Sequence, residues 1–259
     1  MTTPRIYVPS EPDDKHRIAL RNDHLNYIKN VLRLKPGDPV TVFDGRRFEY
    51  ETVIEAYVSD AVILEIVARK DIRRPELRIT LAQSIPKAGK MEYIIQKATE
   101  LGVTTIIPVI TERSVPKFTP SKMEAKVSRW RKIAVEASRQ CGRAVIPEIR
   151  AIVPFDTVVT MAEEQDCRII LWEEEASLGL KALLHERTND PGDGYFFIVG
   201  PEGGLTRGEV ASARSHGFVS VSLGTYILRT ETVGLAVLSI LQYERGIFCT
   251  PATGEQGNE

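Results

Sequence analysis

Hydrophobic and polar positions alternate along the first part of the chain. "HRIAL" (16–20) reads as a short strand, and "PVTVF" (39–43), "RFEYETVIEAYV" (47–58) and "AVILEIVARK" (61–70) as longer ones. Asp44-Gly45 and Ser59-Asp60 interrupt them as hairpin-type breaks. Between the first two strands, Leu25, Ile28 and Leu32 recur at helical spacing. Short strands with close turns predict a small β-barrel over residues 1–72, followed by a linker, "RRPE", at 73–76.

From Leu77 the period changes. "LRITLAQSI" is a strand. Met91, Ile94, Ile95, Ala98 and Leu101 then mark one face of a helix that closes at Gly102. "VTTIIPVI" follows as a strand, and a long helix carries Met123, Val127, Trp130, Ala134 and Ala137 as one apolar stripe, with Ser121 and Glu124 as its capping box. Further strands are expected at 145–150, 167–172 and 195–200, with helices near 155–163 and 178–187. A last helix, apolar over much of its circumference (Val233, Leu235, Ala236, Val237, Ile240, Leu241), belongs in a core or a subunit interface. The alternation predicts an α/β domain over 73–250, a parallel sheet flanked by helices. Residues 251–259 read as a disordered tail.

Composition changes this picture little. The net charge is −1, which excludes a globally basic nucleic-acid binder. Between Arg113 and Arg150, however, ten lysines and arginines face three acids, enough local charge for a polyanion or for a solvated helix face. No apolar run approaches the roughly 20 residues that span a bilayer. The N-terminal sequence does not read as a signal peptide. Cys141, Cys167 and Cys249 are too few and too scattered for a disulfide frame or a zinc site, which fits a reducing cytoplasm.

Candidate chemistry concentrates in two loops. "IVGPEGGLT" (198–206) follows an apolar strand and leads into a helix capped by Thr206 and Glu209. It lacks the lysine of a P-loop and the spacing of a dinucleotide fingerprint, and Glu202 would repel phosphate. Such a loop at the C-terminal end of a strand is where open α/β sheets bind ligands. The second, "LGTYILRTET" (223–232), ends at the start of the last helix, where Thr230 or Thr232 can cap and Glu231 suits the positive dipole end.

These two blocks resemble the RsmE family of 16S ribosomal RNA uridine N3-methyltransferases, of the SPOUT class. "VLRLKPGD", "QSIPKAGKMEYIIQKATELGV", "IIPVITERSV" and "EASRQCGR" extend the resemblance, in order, to about Phe248. One departure is Thr225-Tyr226, where a Pro-Arg pair is expected. The resemblance implies a PUA-like barrel that grips RNA, a SPOUT domain with a C-terminal trefoil knot, a homodimer, S-adenosylmethionine as cofactor, no metal, and 16S rRNA of the small ribosomal subunit as partner. Gly200, Gly203, Gly204 and Gly224 would admit the cofactor to the main chain. Glu202 and Thr230 would lie beside it, with Leu171, Leu223, Ile227 and Leu228 walling the adenine. Glu231 is a candidate base or simply a complement to the helix dipole, and Glu202 a weaker base. Arg229 and Arg113 are candidate clamps for uracil oxygens or phosphate. Arg5, Arg33, Arg139, Gln140 and Arg143 are candidate RNA contacts. An RNA-binding protein without activity and a nucleotide-dependent enzyme remain as alternatives, disfavoured by the intact loops and by Glu202.

Overall fold

The period-2 pattern of the first strands folds as one sheet. The computed structural model describes residues 3–12, 14–72, 77–87, 89–114, 119–162, 166–186 and 194–246. The expected linker at 73–76 and the tail at 251–259 lie outside them. The chain divides into two units, Met1–Glu76 with Val135–Ile146, and Leu77–Ala134 with Pro147–Glu259. The contiguous first unit expected from the sequence did not include residues 135–146.

In the first unit, β1 (Arg5–Tyr7) and β2 (Arg17–Arg21) precede α1 (Asn22–Asn26), which runs into a π-helical turn, Tyr27–Val31. β3 (Pro39–Phe43), β4 (Phe48–Tyr57) and β5 (Ala61–Asp71) follow. The sheet order is β1-β3-β4-β5-β2, with β1 parallel to β3 and every other pair antiparallel. The barrel expected here is realised as a curled sheet whose edge strands, β1 and β2, share no ladder among the described residues. Phe48, Tyr50, Thr52 and Ile54 alternate inward along β4, and two register shifts against β5 bend the pair. Ile6, Ile18, Leu20, Ile28, Val42 and Leu64 complete the core. Burying each such side chain stabilises by about 1.5–3 kcal/mol.

Asp44 explains the β3–β4 turn. Its Oδ1 accepts the backbone N–H groups of Arg46, Arg47 and Phe48 at 2.8, 2.8 and 2.9 Å. Gly45 follows at φ +74°, and a Cβ there would stand 2.6 Å from Ile146 Cδ1 and 2.7 Å from Tyr7 Cε2. Its carbonyl accepts Ile146 N–H at 2.9 Å. The second segment of the unit is thus fitted onto this turn. The Ser59-Asp60 break is a two-residue hairpin closed by Val58 N–H to Ala61 O.

The second unit alternates strands and helices. β6 (Arg78–Ser84), α2 (Lys90–Glu100), β7 (Thr105–Ile110) and α3 (Pro120–Cys141, of which the residues from Val135 on belong to the first unit) come first. β8 (Glu148–Ile149), β9 (Val153–Pro154), α4 (Phe155–Val158), β10 (Asp166–Leu171) and α5 (Leu180–Glu186) follow. β11 (Gly194–Val199), α6 (Arg207–Ser215), β12 (Val219–Val221) and α7 (Thr230–Glu244) end the described chain. The sheet order is β12-β10-β11-β6-β7-β8, with β9 also on β7, and every ladder is parallel. β11 lies inside the sheet, with all six residues buried, hence its unbroken apolar run.

Three local expectations change. α3 starts at Pro120, so Ser121 lies inside the helix and is not its cap. Met123 N–H bonds instead to Thr119 O, and Pro120 sits where its missing N–H costs nothing. α4 is a single turn because the β-branched run Thr157-Val158-Val159-Thr160 disfavours extension. β8 keeps only Glu148 and Ile149 of the six residues expected, since Pro147 cannot donate to a ladder.

α7 crosses β6 at Gly234, where a Cβ would meet Gln83 Oε1 and the Leu81 methyls, each at 3.5 Å. Gln242 Nε2 donates to Leu101 O at 3.1 Å and fills the space beside Gly102, which has φ +89°. α7 therefore packs on α2, burying Val237, Leu238 and Leu241 and leaving Ile240 and Tyr243 exposed.

Candidate functional site

The C-terminal ends of β10, β11 and β12 and the loops after them enclose a cavity of about 540 Å³. Open parallel sheets offer such a crevice at the ends of their strands. Leu171, Gly200, Glu202, Gly203, Gly204, Leu223, Gly224, Ile227, Leu228, Arg229 and Thr230 all line it. The sequence missed Lys90, Trp172, Glu173, Val199 and Val233, which line it too.

The glycine loop is shaped from within. Gly204 N–H donates to Pro201 O at 2.9 Å, and Gly204 has φ +71°. The Glu173 carboxylate occupies the place a Cβ on Gly204 would take. At Gly200 a Cβ would lie 3.0 Å from Leu205 Cγ. Arg113 Nη1 donates to Gly203 O at 2.8 Å, so Arg113 buttresses the loop without lining the cavity. The capping box expected on α6 is present: Thr206 Oγ1 accepts Glu209 N–H, and the Glu209 carboxylate accepts Thr206 N–H. Glu209 Oε1 also accepts Glu112 N–H at 2.9 Å.

The second loop is tied to the first. Neither Thr230 nor Thr232 caps α7. Arg229 holds the N-cap position, with its carbonyl accepting Thr232 and Val233 N–H and no side-chain cap. The Thr230 hydroxyl instead donates to Gly200 O at 2.6 Å and accepts from Gln83 Nε2 at 3.0 Å. Gln83, fully buried on β6, thereby links both loops to the sheet.

A charge cluster joins the same loops. Lys90 Nζ lies 3.1 Å from Glu231 Oε2 and 3.3 Å from Glu202 Oε1. Glu202 also accepts Lys87 N–H at 3.1 Å. A lysine in the first turn of a helix opposes the dipole, and the two carboxylates compensate it. The Lys90 ammonium is raised above its ordinary range, first by its hydrogen bond to Glu231. Burial alone would raise the Glu231 carboxyl, but its own backbone N–H and Lys90 outweigh that and hold it low.

The candidate RNA contacts all fall in the first unit. Arg33 and Gln140 are exposed. Arg5 pairs with Glu49 at 2.7 Å, donates to Arg143 O at 3.3 Å and covers the Phe43 ring. Arg139 covers Tyr27 at 5.0 Å and pairs with Glu136. Arg143 is half-buried, and burial pushes its guanidinium down. Cys167 is buried in β10 and Cys141 exposed. Among the described residues, no cluster of His, Cys, Asp or Glu is arranged to hold a metal, and no helix is long and apolar enough to cross a membrane.

A family model described as an RNA methyltransferase domain matches residues 73–242, and one described as an RNA methyltransferase PUA domain matches residues 20–67. The first of these matches, over a parallel α/β unit whose cavity is built from two loops at its strand ends, defines an RNA methyltransferase. Ribosomal RNA small subunit methyltransferase E of Bacillus subtilis is 32% identical over 229 residues, 87% of this chain and 90% of its own. The Aquifex aeolicus protein of that name is 37% identical over 226 residues, 82% and 94%. A Neisseria gonorrhoeae methyltransferase E, solved bound to S-adenosylmethionine, superposes with a TM-score of 0.82 at 31% identity, covering 93% of this chain and 98% of its own. A Legionella pneumophila methyltransferase solved with the same cofactor gives 0.82 at 35% identity, covering 94% and 98%. The chain belongs to the ribosomal RNA small subunit methyltransferase E family.

Proposed function

We propose that the protein transfers a methyl group from S-adenosylmethionine to N3 of a uridine in 16S rRNA of the small ribosomal subunit. The observation that carries this reading is the cavity itself. Its size lies within the ~300–1,000 Å³ of small-molecule sites. It offers apolar walls (Leu171, Val199, Leu223, Leu228, Val233) and glycine backbone, while Glu202 on its rim opposes a phosphate. Those residues fit a nucleoside carrying a cationic sulfonium. When bound, the cofactor supplies an activated methyl group.

The chain's own residues have separable tasks. Gly200, Gly203, Gly204 and Gly224 bring main-chain donors and acceptors to the cofactor, and Thr230 fixes one loop against the other. Lys90 holds Glu202 and Glu231 together. A general base works best with a pKa near the operating pH, whereas the Glu231 carboxyl is held below its ordinary range by its own backbone N–H and by Lys90. Glu231 is thereby suited to anchoring Lys90 and not to taking the N3 proton. Arg229, exposed on the cavity wall, is placed to favour the uracil anion. N3 lies on the pairing edge, so the target uridine must be unpaired when it reaches the cavity. Arg33 and Gln140 are the exposed candidates for gripping RNA on the first unit. Exposed Tyr93, Ile240 and Tyr243 on packed helices support a homodimer. The trefoil knot and a cytoplasmic location belong to the same reading.

The test uses labelled S-adenosylmethionine and small ribosomal subunits lacking the modification, with nuclease digestion and mass spectrometry. The expected product is N3-methyluridine at one site. Cofactor binding without transfer to the subunit would refute the substrate assignment.

A further inference from the structure

Tyr226 and Ile227 are 84% and 89% exposed, and no other large apolar side chain among the described residues exceeds 64%. They are neighbours, and both line the cavity described above. Water contact on this scale is unfavourable for an aromatic and an aliphatic side chain placed together, yet the loop that carries them is not loose at its ends. Ser222 N–H donates to Leu178 O at 2.9 Å, and Thr230 Oγ1 donates to Gly200 O at 2.6 Å. Between these anchors Gly224, at φ +109°, turns the chain outward. The tip is held out beside the mouth of the cavity.

We propose that Tyr226 is a stacking platform for an unpaired base of the RNA substrate, at the entrance through which the target uridine reaches the methyl donor. This rests on the function proposed above. Two features favour an RNA base as the occupant. Residues 223–230 contain no acid, and Arg229, exposed three positions on, can meet the phosphate of a stacked nucleotide. A base whose pairing edge is to be methylated has lost its partner, and unpaired bases stack on aromatic rings and on guanidinium planes alike. Ile227 extends the apolar surface beside the ring.

The experiment uses the full chain and its Tyr226→Ala and Tyr226→Phe variants. Binding of a short fluorescein-labelled oligouridine is followed by anisotropy, S-adenosylmethionine binding by calorimetry, and assembly by gel filtration. Tyr226→Ala is expected to lose roughly 5- to 150-fold in RNA affinity, and Tyr226→Phe to stay within about twofold of the original. Cofactor affinity and assembly stay unchanged. Replacing the uridines by abasic positions should weaken the unsubstituted protein and leave Tyr226→Ala little affected. Equal RNA affinity for Tyr226→Ala and the unsubstituted protein would overturn the proposal. So would a parallel loss of cofactor binding, which makes the ring a cofactor wall, or a change in assembly, which makes it a seat for a second copy. Ring-dependent RNA binding without methyl transfer to small subunits would support this inference while refuting the proposed function.

Discussion

Glu209 is the residue whose replacement yields the most calculable effect. It is 9% exposed, and its carboxylate serves two structures. Oε2 accepts Thr206 N–H at 2.8 Å and the Thr206 hydroxyl at 3.2 Å, and Oε1 accepts Glu112 N–H at 2.9 Å. A Glu209→Gln side chain can keep its oxygen toward Thr206, but its amide nitrogen then confronts Glu112 N–H, donor against donor. Losing one charge-assisted, part-buried bond costs about 1.5–3 kcal/mol. At about 2–4 °C per kcal/mol for a unit of this size, melting falls by about 3–12 °C. Calorimetry of the free protein measures it. Thr206→Ala removes the other half of the box and costs about 1 kcal/mol. The two changes share partners, so their combination should cost less than the sum. Glu112 precedes Arg113, the buttress of Gly203, so Glu209→Gln should also weaken S-adenosylmethionine binding. A Glu209→Gln protein that melts within about 1 °C of the original would refute the reasoning, since the loss of a charge-assisted hydrogen bond would then carry no cost.

Gly203→Val places a Cβ 3.3 Å from Arg113 Cβ and two methyls beyond it, which displaces the Arg113 guanidinium from Gly203 O. Cofactor affinity should fall at least about tenfold, or about 1.4 kcal/mol, in a protein of normal circular dichroism. Lys90→Met removes the cation that Glu202 and Glu231 share. Calorimetry should show roughly tenfold weaker cofactor binding, and adding Glu202→Gln should restore part of it. Glu175 tests the acid limb of stability. Hydrogen bonds from the hydroxyl and N–H of Ser177, then from Ser220, with Arg214 adding charge, lower its carboxyl from 4.5 to about 2. A lowered folded-state value means the stabilisation is complete above about pH 4.5 and is lost as pH falls toward 2. The gap in urea midpoint between the unsubstituted protein and Glu175→Gln should be full at neutral pH and closed near pH 2.

Periodicity located α2, the β4–β5 pair and the α6 capping box because each is written in near neighbours along the chain. The glycine loop and the loop before α7 were legible for the same reason. Lys90 was not. In sequence it is a polar residue at a helix start, and only folding brings Glu202 and Glu231 to within 3.3 and 3.1 Å of it. Gln83 lies in an apolar strand, and its link to Thr230, across 147 residues, leaves no local trace. Trp172 and Glu173 reach the cavity because β10 pairs between β11 and β12, a sheet order that hydrophobic pattern does not encode. Thr230 showed its position but not its partner, since a threonine at a helix start has capping as the default use of its hydroxyl.

The first unit draws its parts from both sides of a long insertion. The turn at Gly45 is completed by Ile146, and the Arg5 guanidinium rests on the carbonyl of Arg143. A ribosome making this chain therefore delivers the curled sheet well before the piece that seats on its turn. At about 5–20 residues per second the interval is several seconds, far longer than the microseconds in which a hairpin forms. During that wait the sheet stands incomplete, with Tyr7 and Gly45 uncovered by Ile146. A gene fragment ending at residue 76 would make that unfinished state permanent, so the module cannot be borrowed as a contiguous piece. Synthesis order and spatial order part company here, and the protein is committed to finishing its beginning late.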